Sequence, residues 1–151
     1  MAWKKTLTYN DALTTELDSL ASGSIAYSNT VFDNTSVLDE VLFLSMNLAS
    51  VAPSAANPSL AIYILPLNDD NTTYGDQPST VPGTQSTIIP SFNYYFGPIT
   101  LSSNTTAALQ TGTSEFQKSL PPSKYIIGIN NLLGSALGTG NTIKYATNTY
   151  V

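Results

Sequence analysis

The chain contains no cysteine, no histidine and no arginine. The missing cysteines exclude structural disulfides and thiol chemistry. Without histidine there is no imidazole acid–base catalysis, and zinc sites built from His or Cys are excluded with it. Without arginine there is no guanidinium fork to clamp a phosphate. Charge is scarce too: Asp, Glu and Lys make up 10% of the 151 residues, against roughly 25% in ordinary globular domains. Five lysines stand against ten acids, a net charge of −5. Lys4 and Lys5 sit together near the N-terminus, and Lys118, Lys124 and Lys144 are scattered. No basic stripe can therefore neutralise a run of phosphates or hold an anionic lipid surface. Neither nucleic acid nor a membrane is expected as a partner. No apolar run approaches the ~20 residues of a spanning helix. Residues 1–10 have two lysines but no apolar stretch of a secretory signal, which predicts a protein made and kept in a cytoplasm. Asn34, Asn71 and Asn104 begin Asn-X-Ser/Thr triplets. In a chain so rich in Ser and Thr these read as chance matches.

Hydrophobic residues are present at an ordinary 42%, and Ser, Thr and Asn fill about a third of the chain. The length suits one domain burying about two-thirds of its unfolded surface, so no covalent or metal staple is needed. The dominant period is two. Leu42, Leu44, Met46 and Leu48 alternate with Phe43, Ser45, Asn47 and Ala49, which predicts a strand with one buried face. Residues 60–65 are apolar on both faces, as in a central strand covered twice, and Pro66 ends it or marks an edge. Phe92, Tyr94 and Phe96 alternate with Asn93 and Tyr95, and Ile99 and Leu101 extend the pattern past Gly97-Pro98. Tyr125, Ile127 and Ile129 form a further alternating run, as do Ile143 and Tyr145. Ile25, Tyr27 and Val31 predict another strand with Asn29 on the same face, and residues 6–9 a short one. Turn chemistry separates these runs: Asn68-Asp69-Asp70-Asn71, Tyr74-Gly75-Asp76, Gly138-Thr139-Gly140-Asn141, and proline-rich stretches at 53–58 and 78–90. Seven to nine short strands so connected predict an all-β, antiparallel sandwich or jelly roll. Residues 11–21 leave two readings open. Leu13, Leu17 and Leu20 fit a short helix capped by Asn10, and a strand plus loop fits equally. Residues 1–15 are expected as an N-terminal arm, and residues 16–151 as the sandwich.

Catalytic constellations are weak. Asp69, Asp70 and Asp76 with Asn68 and Asn71 offer oxygen ligands for calcium, but no EF-hand spacing is present and a solvated loop is the simpler reading. Asp39 and Glu40 are adjacent, so on a strand they point to opposite faces and cannot share a glycosidase cleft. Ser119 and Ser123 lie near Lys118 and Lys124 without Ser-x-x-Lys spacing. Residues 134–140 are glycine-rich but lack the Gly-Lys-Ser/Thr ending of a phosphate loop. No catalytic residue, cofactor or metal ligand is assigned, and an enzyme is not expected. Two features suit contact instead. Tyr95 faces away from Tyr94 and Phe96 on an ideal strand, offering an amphipathic ring. Trp3, Lys4 and Lys5 form an aromatic, basic segment able to fold back or to anchor on a neighbouring subunit.

Three stretches then carry a resemblance. They are Leu17-Asp18-Ser19-Leu20-Ala21-Ser22-Gly23 with Phe32-Asp33-Asn34-Thr35; Ala61-Ile62-Tyr63-Ile64-Leu65-Pro66 with Asp69, Asp70 and Tyr74-Gly75-Asp76; and Leu120-Pro121-Pro122-Ser123-Lys124-Tyr125, Asn130-Asn131, Gly134-Ser135-Ala136-Leu137 and Gly140-Asn141-Thr142-Ile143-Lys144-Tyr145. Together they resemble small virion proteins of tailed bacteriophages, among them capsid decoration (cement) proteins. The resemblance implies a jelly-roll β-sandwich, assembled in a bacterial cytoplasm and located on the virion. It also implies the major capsid protein and further copies of the chain, as a dimer or trimer, for partners. The alternative it leaves is a carbohydrate-recognition or adaptor module of a tail or fibre. Its motifs are turn and strand signatures, none of them catalytic.

Overall fold

Period-two patterning becomes strands almost wherever it occurs. The computed structural model describes residues 9–36, 41–75, 82–102, 108–117 and 120–148. In chain order the strands are β1 (Asn10–Leu13), β2 (Ile25–Tyr27), β3 (Phe32–Asp33), β4 (Val41–Val51), β5 (Ser59–Pro66), β6 (Gln85–Ser86), β7 (Tyr95–Thr100), β8 (Ala108–Gln117), β9 (Lys124–Leu132) and β10 (Thr142–Asn148). β3 and β6 have two residues each, so eight strands are longer than that. Two 3-10 turns, Thr15–Leu17 and Phe92–Tyr94, are the helical elements among the described residues.

The strands form two antiparallel sheets. Sheet one has the order β1-β10-β4-β8, and sheet two the order β6-β2-β9-β5-β7, with β3 also pairing β9. The pairing is nested: β1 with β10, β2 with β9, β4 with β8, β5 with β7. Each strand of the first half thus finds its partner in the second half, working inward from the two ends. The fold is an all-β sandwich.

Between the sheets lies the main core. Leu42, Leu44, Met46 and Leu48 of β4 face Leu60, Ile62 and Ile64 of β5 and Ile127 and Ile129 of β9. Phe32 stacks on Tyr125 at 6.1 Å between ring centroids and meets Tyr145 edge-on at 5.8 Å. One end is closed by Asn131, which is fully buried. Its Nδ2 donates to the carbonyls of Leu20 and Ser135, each at 2.9 Å, and its Oδ1 accepts from the Leu133 N–H at 3.0 Å. One side chain thereby ties the Leu20 segment to the turn that follows β9.

Several expectations need correction. The helix reading of residues 11–21 gives way to β1 followed by a 3-10 turn, and Asn10 pairs with Tyr145 instead of capping a helix. Residues 10–13 of the expected arm are therefore an edge strand of sheet one. The strand expected to run from Ile25 to Val31 stops at Tyr27. Ser28 breaks it: its Oγ donates to the Thr30 carbonyl at 2.7 Å and accepts the Ile127 N–H at 3.0 Å, leaving Val31 exposed. Phe92 to Tyr94 is a 3-10 turn, and β7 begins only at Tyr95. Residues 6–8 lie outside the described residues.

The neighbouring asparagines of β9 give a stability test. Asn131→Ala removes three hydrogen bonds inside the protein and is expected to cost about 2–4 kcal/mol in urea unfolding. Asn130 is also buried, but its Oδ1 has no hydrogen-bond partner. Asn130→Val relieves that unsatisfied acceptor but removes the amide's hydrogen bond with the Tyr63 hydroxyl, so it is expected to cost less than Asn131→Ala.

Candidate interaction surface

β5 is apolar on both faces from Leu60 to Leu65, and β9 buries Ile126 on one face and Ile127 and Ile129 on the other, so the outer face of sheet two must also be covered. The connection from β5 to β7 covers it. Ile25, Tyr27, Ala61, Tyr63, Leu65 and Ile126 line that face, and Leu67, Tyr74, Ile89 and Tyr94 pack onto it from the connection. Gly75 permits the close approach: with φ +64°, it lies where an added Cβ would stand 2.6 Å from Leu65 Cδ2. Gly128, between Tyr27 and Tyr63 in the ladder, plays a similar part, since a Cβ there would meet the Tyr27 ring at 3.3 Å. Further along, the Tyr27 hydroxyl donates to the Ile88 carbonyl at 3.4 Å. Gln85 Nε2 donates to the carbonyls of Glu16 and Asp18, each at 2.9 Å. The connection is thus pinned at several points along its length.

This pinned layer carries an aromatic platform. Tyr63 of β5 is buried, and Tyr95 meets it edge-on with centroids 5.7 Å apart. Phe92 stacks on Tyr95 at 4.9 Å, with the planes 22° apart. Phe92 is nevertheless 78% exposed, and Ile88, on the same connection, is 51% exposed. A 3-10 turn aligns residues three apart, and that alignment brings Phe92 over Tyr95. Burial raises the Tyr63 hydroxyl above its ordinary 10.0, Tyr95 adds to the rise, and the Asn130 amide opposes it. The phenol is therefore a neutral hydrogen-bonding group throughout the physiological range. An apolar ring held face-on by a second ring, with little freedom left to lose, is what a contact residue needs.

Of the residues expected to make contacts, Tyr95 is in this cluster, half-buried beneath Phe92. Trp3, Lys4 and Lys5 lie outside the described residues. The face assignment around Tyr95 needs correction: Phe96 packs on the main core, while Tyr94 and Tyr95 both join the outer cluster. Phe92 was missed by the alternation reading, which assigns it to a strand. Pro90 ahead of two aromatic residues spaced i, i+3 is the signal that points to a turn instead.

The acidic loop is built as a turn. Asp70 Oδ1 accepts from the Thr72 and Thr73 N–H groups at 2.8 and 2.9 Å, and Oδ2 from the Thr73 hydroxyl at 2.6 Å. Asn68 Nδ2 donates to Thr73 Oγ1 and to the Gly75 carbonyl. Among the described residues no group of three or more His, Cys, Asp or Glu could hold a metal ion. Asp39, Glu40, Asp76, Lys118 and Ser119 lie outside the described residues. Lys124 turns its ammonium to Asp33 at 3.7 Å, and Lys144 to Asp11 at 3.6 Å. No protein-family model, curated protein or solved structure matches this chain.

The Asp70 turn has a measurable titration. Hydrogen bonds from the Thr73 hydroxyl and the Thr73 and Thr72 amides hold its carboxyl down to about 2, from an ordinary 3.8. A depressed acid favours the folded turn above the unfolded value, and that contribution is lost as pH falls toward the folded value. Carboxyl NMR of the intact protein should place the Asp70 midpoint near 2. The Thr72 and Thr73 amide resonances should move with it, and in Asp70→Asn that movement should vanish.

Proposed function

We propose that this chain is a structural virion component, a capsid decoration protein that binds the outer surface of an assembled head and stabilises it. The observation that carries this reading is the platform on sheet two, where an exposed Phe92 ring is held on Tyr95 above a buried Tyr63. Centrally placed aromatic residues backed by rigid packing are typical energetic anchors of protein interfaces. A surface poor in charge and rich in Ser, Thr and Asn desolvates at moderate cost and depends little on ionic strength. The nested pairing of β1 with β10, β2 with β9, β4 with β8 and β5 with β7 supports the jelly-roll type, in which a long antiparallel ribbon wraps into two sheets. The sequence resemblance supports the same assignment. On this reading the partner is a major capsid protein shell, and many weakly bound copies gain avidity from its symmetry.

A second reading rests on the same ring. An exposed aromatic face on a β-sandwich also suits stacking against a sugar, which favours a carbohydrate-recognition module of a tail or fibre.

Both readings are tested with head particles lacking this chain. Purified protein should co-sediment with them to saturation, and a reconstruction should show density at symmetry-related outer sites. Phe92→Ala should weaken that binding by about 10- to 100-fold. Its melting temperature should hardly change, because the ring is mostly in solvent. Wild-type protein that ignores the particles but binds a glycan array, with Phe92→Ala losing the signal, would select the sugar reading.

A further inference from the structure

β8 ends sheet one, with β4 its one neighbour in the sheet among the described residues. A sheet edge leaves alternate N–H and C=O groups unpaired, and proteins protect such edges with short strands, bulges, proline or lysine. Among the described residues, three of the four sheet edges are protected in that way. β6 has two residues, β7 contains Pro98, and β1 has four residues with a register shift between Asp11 and Leu13. β8 has ten residues, Ala-Leu-Gln-Thr-Gly-Thr-Ser-Glu-Phe-Gln, with no lysine and no proline.

The neighbouring strand shows which backbone groups face outward. The Ala49 N–H donates to Asn141 Oδ1 at 3.1 Å, and Asn141 immediately precedes β10. The Ala49 N–H therefore points toward β10. Backbone groups alternate sides along a strand, so those of Leu42, Leu44 and Met46 turn toward β8. Their partners in register are Phe116, Ser114 and Gly112. It follows that Thr111, Thr113 and Glu115 turn their N–H and C=O groups to the side away from β4, where no described strand pairs with them.

We propose that β8 pairs antiparallel with β8 of a second copy across a two-fold axis, joining two four-stranded sheets into one continuous sheet. Outward groups must meet outward groups, and a pairing centred on Thr113 achieves that. It sets Thr111 opposite Glu115 of the second copy and keeps the contact away from the shift in the β4 register between Leu48 and Val51. Glu115 is the one charged residue of the strand, and this register separates it from its own counterpart, as like charges directly opposed would be unfavourable. Such an interface is self-complementary and closed. It does not depend on the virion reading.

Sedimentation velocity on the purified full chain tests it. Wild type should show concentration-dependent mass up to twice the 16.1 kDa of one chain. Thr113→Pro deletes an outward N–H without touching the β4 ladder, so it should fold and weaken self-association by more than about tenfold. Thr113→Lys supplies a second variant that keeps the N–H but guards the edge, and it should also shift the protein to monomer. In the wild-type dimer the Thr111, Thr113 and Glu115 amides should exchange more slowly than in the monomer. A chain that stays monomeric at all concentrations overturns the proposal. So does a dimer or trimer that both variants leave intact, or β8 protection that arises only on head particles, which would make the strand a dock for a capsid segment.

Discussion

A strand can be apolar along its whole length only if each of its two faces is covered. β5 from Leu60 to Leu65 and β9 from Tyr125 to Ile129 are such stretches, and the cover on the outside of sheet two follows from that condition. Leu60, Ile62 and Ile64 are buried against sheet one, and Ala61, Tyr63 and Leu65 would otherwise face water. The connection from β5 to β7 is the cover. Its close fit depends on Gly75 over Leu65, on the Tyr27 hydroxyl at Ile88, and on Gln85 anchored at Glu16 and Asp18. A connection without these anchors could not hold Phe92 in one orientation. The candidate contact surface is thus a by-product of how a two-faced strand is kept dry.

Much of the fold was legible because period two is a direct statement about burial. Leu42, Leu44, Met46 and Leu48 are buried, and Asn47 and Ala49 are exposed, as their alternation implies. The double apolarity of residues 60–65 correctly implied two covered faces, but not that a loop would supply the second cover. What periodicity could not show were local hydrogen bonds that outcompete a strand. The Ser28 hydroxyl ends β2 early, and the turn at Phe92–Tyr94 replaces an expected strand end. Leu13, Leu17 and Leu20 have helical spacing, but each is simply buried, the first in β1 and the others around a 3-10 turn. Of the candidate contact residues, Tyr95 was legible as an aromatic on a strand face. Phe92 was not, because its exposure depends on a turn and on the ring beneath it.

The two surface features differ in chemistry and lie on different sheets. The platform on sheet two presents side-chain area from a rigid layer. The β8 edge of sheet one presents backbone polar groups and little charge. Side-chain contact and backbone pairing can therefore operate at once, without competing for the same residues.

The nesting of strand pairs has a consequence for how the molecule comes into being. β1 has its sheet partner in β10, at the far end of the described chain. During synthesis β1 has no sheet partner until β10 leaves the ribosome. Closure of so non-local a topology is slow compared with helix or hairpin formation. The same arrangement works in reverse once the protein is complete, since no strand can peel away at either end without separating from one at the other. Slow assembly and slow release then have a common origin in the non-local pairing of the strands.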